Sequence, residues 1–125
     1  AGCWLNTGEG GLSPYHLEGG CDIVMQIGTA KYGVRDADGE LSAQRLVDIA
    51  PVVRAFEIKL SQGAKPGHGG VLPKAKVSAE ISQARGVPMG QDCVSPSRHS
   101  AFTTPVELLH FLARLRQLSG GKPVD

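Results

Sequence analysis

Between Lys59 and Gly70 the chain reads KLSQGAKPGHGG, and its polar side chains are spaced as an anion site needs them. Lys59, Gln62 and Lys65 stand three residues apart, so two ammonium groups flank one amide. Pro66 stiffens the turn, while Gly67, Gly69 and Gly70 let backbone N–H groups come close to a ligand. A solvated Gly-Pro turn with two exposed lysines accounts for the same residues, so the choice depends on the neighbouring elements. A second glycine-rich stretch, NTGEGG from Asn6 to Gly11, is equally double-edged. Its glycines suit a phosphate or a flavin edge, but Glu9 among them would repel phosphate. It has neither the order of a dinucleotide fingerprint nor that of a P-loop.

The elements that must position these residues are legible from apolar patterning. Three short segments read as strands: DIVMQIG from Asp22, AFEIKL from Ala55 and GVPMGQD from Gly86. Their apolar starts at Ile23, Ala55 and Val87 fall at two equal intervals, each the length of a strand–helix–strand unit, which predicts parallel pairing. Extended backbone through the second segment puts Glu57, Lys59 and Ser61 on one face and Ile58 and Leu60 on the other. A lysine there is costly to bury without an anionic partner.

Helices are expected from about Ser42 to Ile49 and from Ser78 to Arg85, the latter stopped by Gly86. The best-defined helix begins at Thr104, with Pro105 in the first helical position and Glu107 completing a capping box. Leu108, Phe111, Leu112, Leu115 and Leu118 recur at helical spacing and form its packing face. Ser119-Gly120-Gly121 ends it, Pro123 bars its continuation, and a further strand is expected next. The order predicts an α/β fold, either an open parallel sheet or a partial (β/α)8 barrel of three to four units, because eight units take about 250 residues. In both architectures ligands bind at the carboxyl ends of the strands. That places QIGTAKYG, SQGAKPGHGG and QDCVSPSRHS at the site.

Composition narrows the partners. A chain of 125 residues, 41% apolar, is one domain at most with a modest core. Thirteen basic against 12 acidic residues leave no global field to attract nucleic acid or an anionic membrane. No apolar run approaches the roughly 18 residues that span a bilayer, and the N-terminal stretch lacks a secretory pattern, so a cytoplasmic location is expected. Cys3, Cys21 and Cys93 are too scattered for a disulfide framework or a zinc knuckle and are expected to be buried thiols. His16, His68, His99 and His110 show no ligand spacing, and Trp4 and Tyr15 are expected as core or loop anchors.

Taken together, NTGEGG, IKLSQGAKPGHGG, LPKAKV, RGVPMGQD and Ser95-Pro96 resemble the FMN-binding synthase domain of the glutamate synthase family, over essentially the whole chain. The resemblance implies a (β/α)8 barrel that binds FMN and a 3Fe-4S cluster. In that family ammonia from glutamine combines with 2-oxoglutarate, and the imine is reduced to glutamate. It implies catalytic roles for Glu9, Lys59 and Lys65, contact of Gln62 and Lys65 with the cofactor, and binding of the dicarboxylate by Gln62 and Arg85. The electron donor would be ferredoxin or a reduced nicotinamide.

Two departures bear on the substrate: His68 stands in place of a glutamate, and Val71 where a glutamine commonly contacts 2-oxoglutarate. The segment after NTGEGG resembles the shorter, stand-alone proteins of the family. No cysteine trio, later phosphate-binding glycine loop or glutaminase nucleophile is found here. The whole chain is therefore expected to be an internal segment of one FMN-binding barrel domain, binding FMN weakly or not at all by itself. A non-catalytic small-anion-binding α/β module, oligomeric to cover its open edges, is the alternative, with a plain structural domain behind it.

Overall fold

The computed structural model describes residues 2–63 and 69–125. Three parallel strands, β1 (Trp4–Asn6), β2 (Asp22–Ile27) and β3 (Ala55–Ile58), lie side by side in chain order. Asn6 is level with Val24, and Val24 to Ile27 run beside Ala55 to Ile58. Residues 123–125 extend the series on the free edge of β3. The amides of Phe56 and Ile58 donate to the Pro123 and Asp125 carbonyls at 2.9 and 2.7 Å, and Val124 bridges Phe56 in parallel.

Alternation along the strands gives the sheet two unlike faces. Ile23, Met25, Ile27, Phe56 and Ile58 are buried on one, against Leu46, Ala50 and Val53 and against Phe111 and Leu115. The first group comes from helix α2 (Ala43–Ile49) and the turn after it, the second from helix α4 (Pro105–Leu118). The other face is polar. Asn6 donates to the Glu57 carboxylate at 3.0 Å, and the Gln26 amide donates to its other oxygen.

The helix ends follow the expected chemistry. Ser42 and Ser78 cap α2 and α3 (Ala79–Arg85), and Gly86 closes α3 in the left-handed conformation at φ 71°. Thr104 and Glu107 form the reciprocal capping box of α4. A one-turn helix, α1 (Pro14–Leu17), joins β1 to β2.

The third expected strand is not there. Residues 86–92 are turns, because Gly86 and Gly90 take positive φ and Pro88 removes an amide donor. The short strand that follows, β5 (Cys93–Ser95), pairs antiparallel with β4 (Gly70–Leu72), so the described residues between β3 and α4 add no further parallel strand to the sheet. Cys93 is buried but Cys3 and Cys21 are exposed, and Trp4 stands 61% exposed on edge strand β1 rather than in the core. Tyr15 is likewise 62% exposed, on α1, its hydroxyl donating to Glu80 at 2.9 Å.

Phe56, fully buried at the centre of the sheet, sets a test of this packing. Phe56→Ala should cost about 3–5 kcal/mol in urea unfolding. Leu109→Ala, at a position 62% exposed on α4, should stay within about 0.5 kcal/mol of the parent. Equal costs would mean that α4 packs through another face.

Candidate functional site

The carboxyl ends of β1 and β3 converge on one ion pair. Lys59, directly after β3, places its Nζ 2.6 Å from an Oε of Glu9, which belongs to the loop after β1. Gln62 completes the group: its Oε1 accepts from Lys59 at 3.3 Å, and its Nε2 donates to Glu9 at 3.0 Å and to the Thr29 hydroxyl at 3.2 Å. Thr29 is buried in the loop after β2, so all three parallel strands contribute.

The turn after β2 must carry no side chain here. A Cβ on Gly28 would lie 2.9 Å from that of Glu9. Gly11 fills a second close approach: at φ 87° it sits where a Cβ would meet the Ala84 carbonyl oxygen at 2.2 Å, pressing the glycine loop onto the last turn of α3. That turn ends in Arg85, whose guanidinium would stand 3.8 Å from a Cβ placed on Gly10 and lies 4.6 Å from the centroid of the buried Tyr32 ring.

Burial pushes the Glu9 carboxyl up, but hydrogen bonds from Lys59 and Gln62 and the charges of Lys59 and Arg85 outweigh it and hold the group below its ordinary value of 4.5. The pair is only partly covered, with side-chain exposures of 30% for Lys59 and 22% for Glu9. Among the described residues the three N–H donors of Lys59 have two partners, Glu9 and Gln62.

Glu9, Lys59 and Gln62 thus meet directly, Arg85 reaches Glu9 only through its charge, and Lys59 is no solvated turn residue. Lys65 and His68 lie outside the described residues. Val71 is on β4 and 62% exposed. A hollow of about 620 Å³ between α1, α2 and α3 is lined by Leu12, Tyr15, Ile49 and Glu80 and includes none of the three clustered polar residues. Size alone does not locate this site.

Two supporting residues have no signature in the sequence. His99, 4% exposed, places Nε2 2.7 Å from the Lys59 carbonyl oxygen and stacks on Phe102 with centroids 4.7 Å apart. Burial pushes its imidazole down from 6.5, as does the Lys31 charge, against opposing pulls from the Lys59 carbonyl and Glu9. The neutral ring therefore donates to that carbonyl. Lys31 is 1% exposed at φ 53°, and its ammonium donates to Ser100 at 2.7 Å and lies 3.4 Å from Glu40. Together they bind the segment before α4 to the loop after β2 and to the root of Lys59. Position in a loop said nothing of either, since the contacts join residues 40 and 69 positions apart.

A family model described as a conserved region in glutamate synthase matches residues 1–125. The chain belongs to this glutamate synthase family. A glutamate synthase large subunit-like protein, YerD of Bacillus subtilis, is 47% identical over 98% of this chain and 23% of its own length. Proteins named archaeal glutamate synthase [NADPH] match at 42% in Archaeoglobus fulgidus and 34% in Methanocaldococcus jannaschii, over 99% and 97% of this chain. The chain spans 22–23% of the length of these three relatives.

The depressed Glu9 ionisation has a signed consequence. Its stabilisation is fully present above pH 4.5 and is lost as pH falls through the lower folded value. The stability difference between the parent and Glu9→Gln should be flat from pH 8 to about 5 and shrink below that, measured by denaturant titration at each pH. A difference that grows on acidification would contradict the pairing.

Proposed function

We propose that this chain is the lysine-bearing part of the FMN-dependent synthase domain of a glutamate synthase-like oxidoreductase, forming glutamate from 2-oxoglutarate and ammonia drawn from glutamine. The observation that carries this reading is the Glu9–Lys59–Gln62 cluster at the carboxyl ends of parallel strands, in a chain of this family. Strands laid down in chain order, with the C-terminal residues next in line, fit the winding of a (β/α)8 barrel and support the chain as an internal segment of one such domain. A cytoplasmic location accords with this function. No helix among the described residues is long and apolar enough to cross a membrane.

The donor set fits the edge of a flavin ring. The third N–H of Lys59 and the Oε1 of Gln62, which keeps a second lone pair, would hold it. FMN, when bound, supplies the reducing equivalents. Lys59 places its positive charge where negative charge gathers, and Glu9 aims that ammonium while offering a carboxylate able to relay a proton to the imine nitrogen as the imine carbon is reduced. Arg85 anchors a substrate carboxylate through its planar fork, and Gln62, its amide fixed by Glu9 and Thr29, bridges cofactor and substrate.

The described residues do not fit a 3Fe-4S cluster: no group of three or more His, Cys, Asp or Glu side chains is placed to hold a metal ion. No step is assigned to one here. The name of the Methanocaldococcus relative favours a reduced nicotinamide over ferredoxin as donor to the whole protein.

In the full native chain, Lys59→Ala should lower glutamate formation by at least about a hundredfold, the scale of one lost transition-state donor, with little change in melting temperature. Parallel loss of fold and activity would refute a catalytic lysine. The 125-residue segment purified alone should carry little flavin absorbance. A stoichiometric yellow protein would overturn its assignment as one part of the cofactor site.

A further inference from the structure

Arg85 has no carboxylate within 4.0 Å among the described residues, nor does Arg35. Both guanidinium groups lie near one ring instead, that of Tyr32, with centroid distances of 4.6 Å for Arg85 and 5.7 Å for Arg35. Tyr32 is 1% exposed and fixed at both ends. Its hydroxyl is 3.3 Å from the Ser95 hydroxyl on β5, and the amide of its neighbour Gly33 donates to the Arg85 carbonyl at 3.0 Å. The ring and the backbone clamp hold the last residue of α3 from two sides. Arg85 also borders a hollow of about 240 Å³, shared with Thr7, Gly10, His16 and the carboxylate of Glu80.

A cation over a buried aromatic face is held electrostatically without being neutralised, unlike one paired to a carboxylate. Its donors stay available to an incoming anion. Two guanidinium groups around one ring also repel each other, and an anion relieves that repulsion.

We infer that Tyr32 is the positioning residue that holds Arg85 unneutralised for a substrate carboxylate, an inference that rests on the dicarboxylate reading of the site. Tyr32 acts through Arg85 and touches no reacting atom. Its effect belongs to substrate affinity and not to turnover.

The test uses the full native chain and a shape-preserving series at position 32: Tyr32→Phe, then phenylalanines of rising ring fluorination, which weaken the face while keeping its size. KM for 2-oxoglutarate is followed against kcat, with the dissociation constant of 2-oxoglutarate measured by calorimetry. Tyr32→Phe should stay within about twofold of the parent, and full fluorination should weaken binding by about two- to tenfold with kcat unchanged. Arg85→Ala is measured alongside. A flat series beside a sensitive Arg85→Ala would overturn the role of Tyr32 alone. An insensitive Arg85→Ala would remove the dicarboxylate anchor, and this inference with it. A fall in kcat with no change in KM would also count against positioning.

Discussion

A lysine at the end of an apolar strand must find a negative partner, and the pairing of Lys59 with Glu9 is the constraint around which this site is arranged. The two residues arrive from strands that are not adjacent, β1 and β3, with β2 between them. For the pair to close, the turn after β2 must be empty of side chain, and Gly28 is there. The glycine loop must also reach inward, and it is pushed from behind by α3 through Gly11 and Ala84. The coincidence of these conditions makes the carboxyl edge of the sheet a site rather than a rim of loops.

The two faces of the sheet divide the work. On the helix side, close-packed Ile23, Met25, Phe56, Phe111 and Leu115 resist displacement and fix where each strand ends. On the other, the Glu57 carboxylate takes amide donors from Asn6 and Gln26, tying three strands together beneath the ion pair. Asn6 passes that order upward, its Oδ1 accepting from the Gly8 amide one residue before Glu9. His99 and Lys31 secure the far side, one on the carbonyl of Lys59 and the other through Ser100. Polar groups so held need little reorganisation when charge develops near them.

Local chemistry made much of this legible. Thr104, Pro105 and Glu107 announce the start of α4, Gly86 announces the end of α3, and the alternation of Ala55 to Ile58 separates the buried face from the polar one. The strand expected at Gly86 failed because equal spacing of apolar residues is weak beside two positive-φ glycines and a proline. Long-range contacts left no local trace: nothing around His99 reveals that it faces Lys59, and nothing in AKYG shows that Lys31 is buried while Tyr32 lies under Arg85. The clustering of Glu9 with Lys59 was reachable only through a resemblance spanning both loops.

The account stands or falls on whether Glu9 and Lys59 act as one unit. The most direct measurement is a double-mutant cycle of Glu9→Gln and Lys59→Met on kcat/KM for 2-oxoglutarate in the full native chain. Groups acting as a unit give losses that do not multiply, so the double variant should fall within about threefold of the more damaged single variant. Losses that multiply across the cycle would show two independent residues and contradict the arrangement described here.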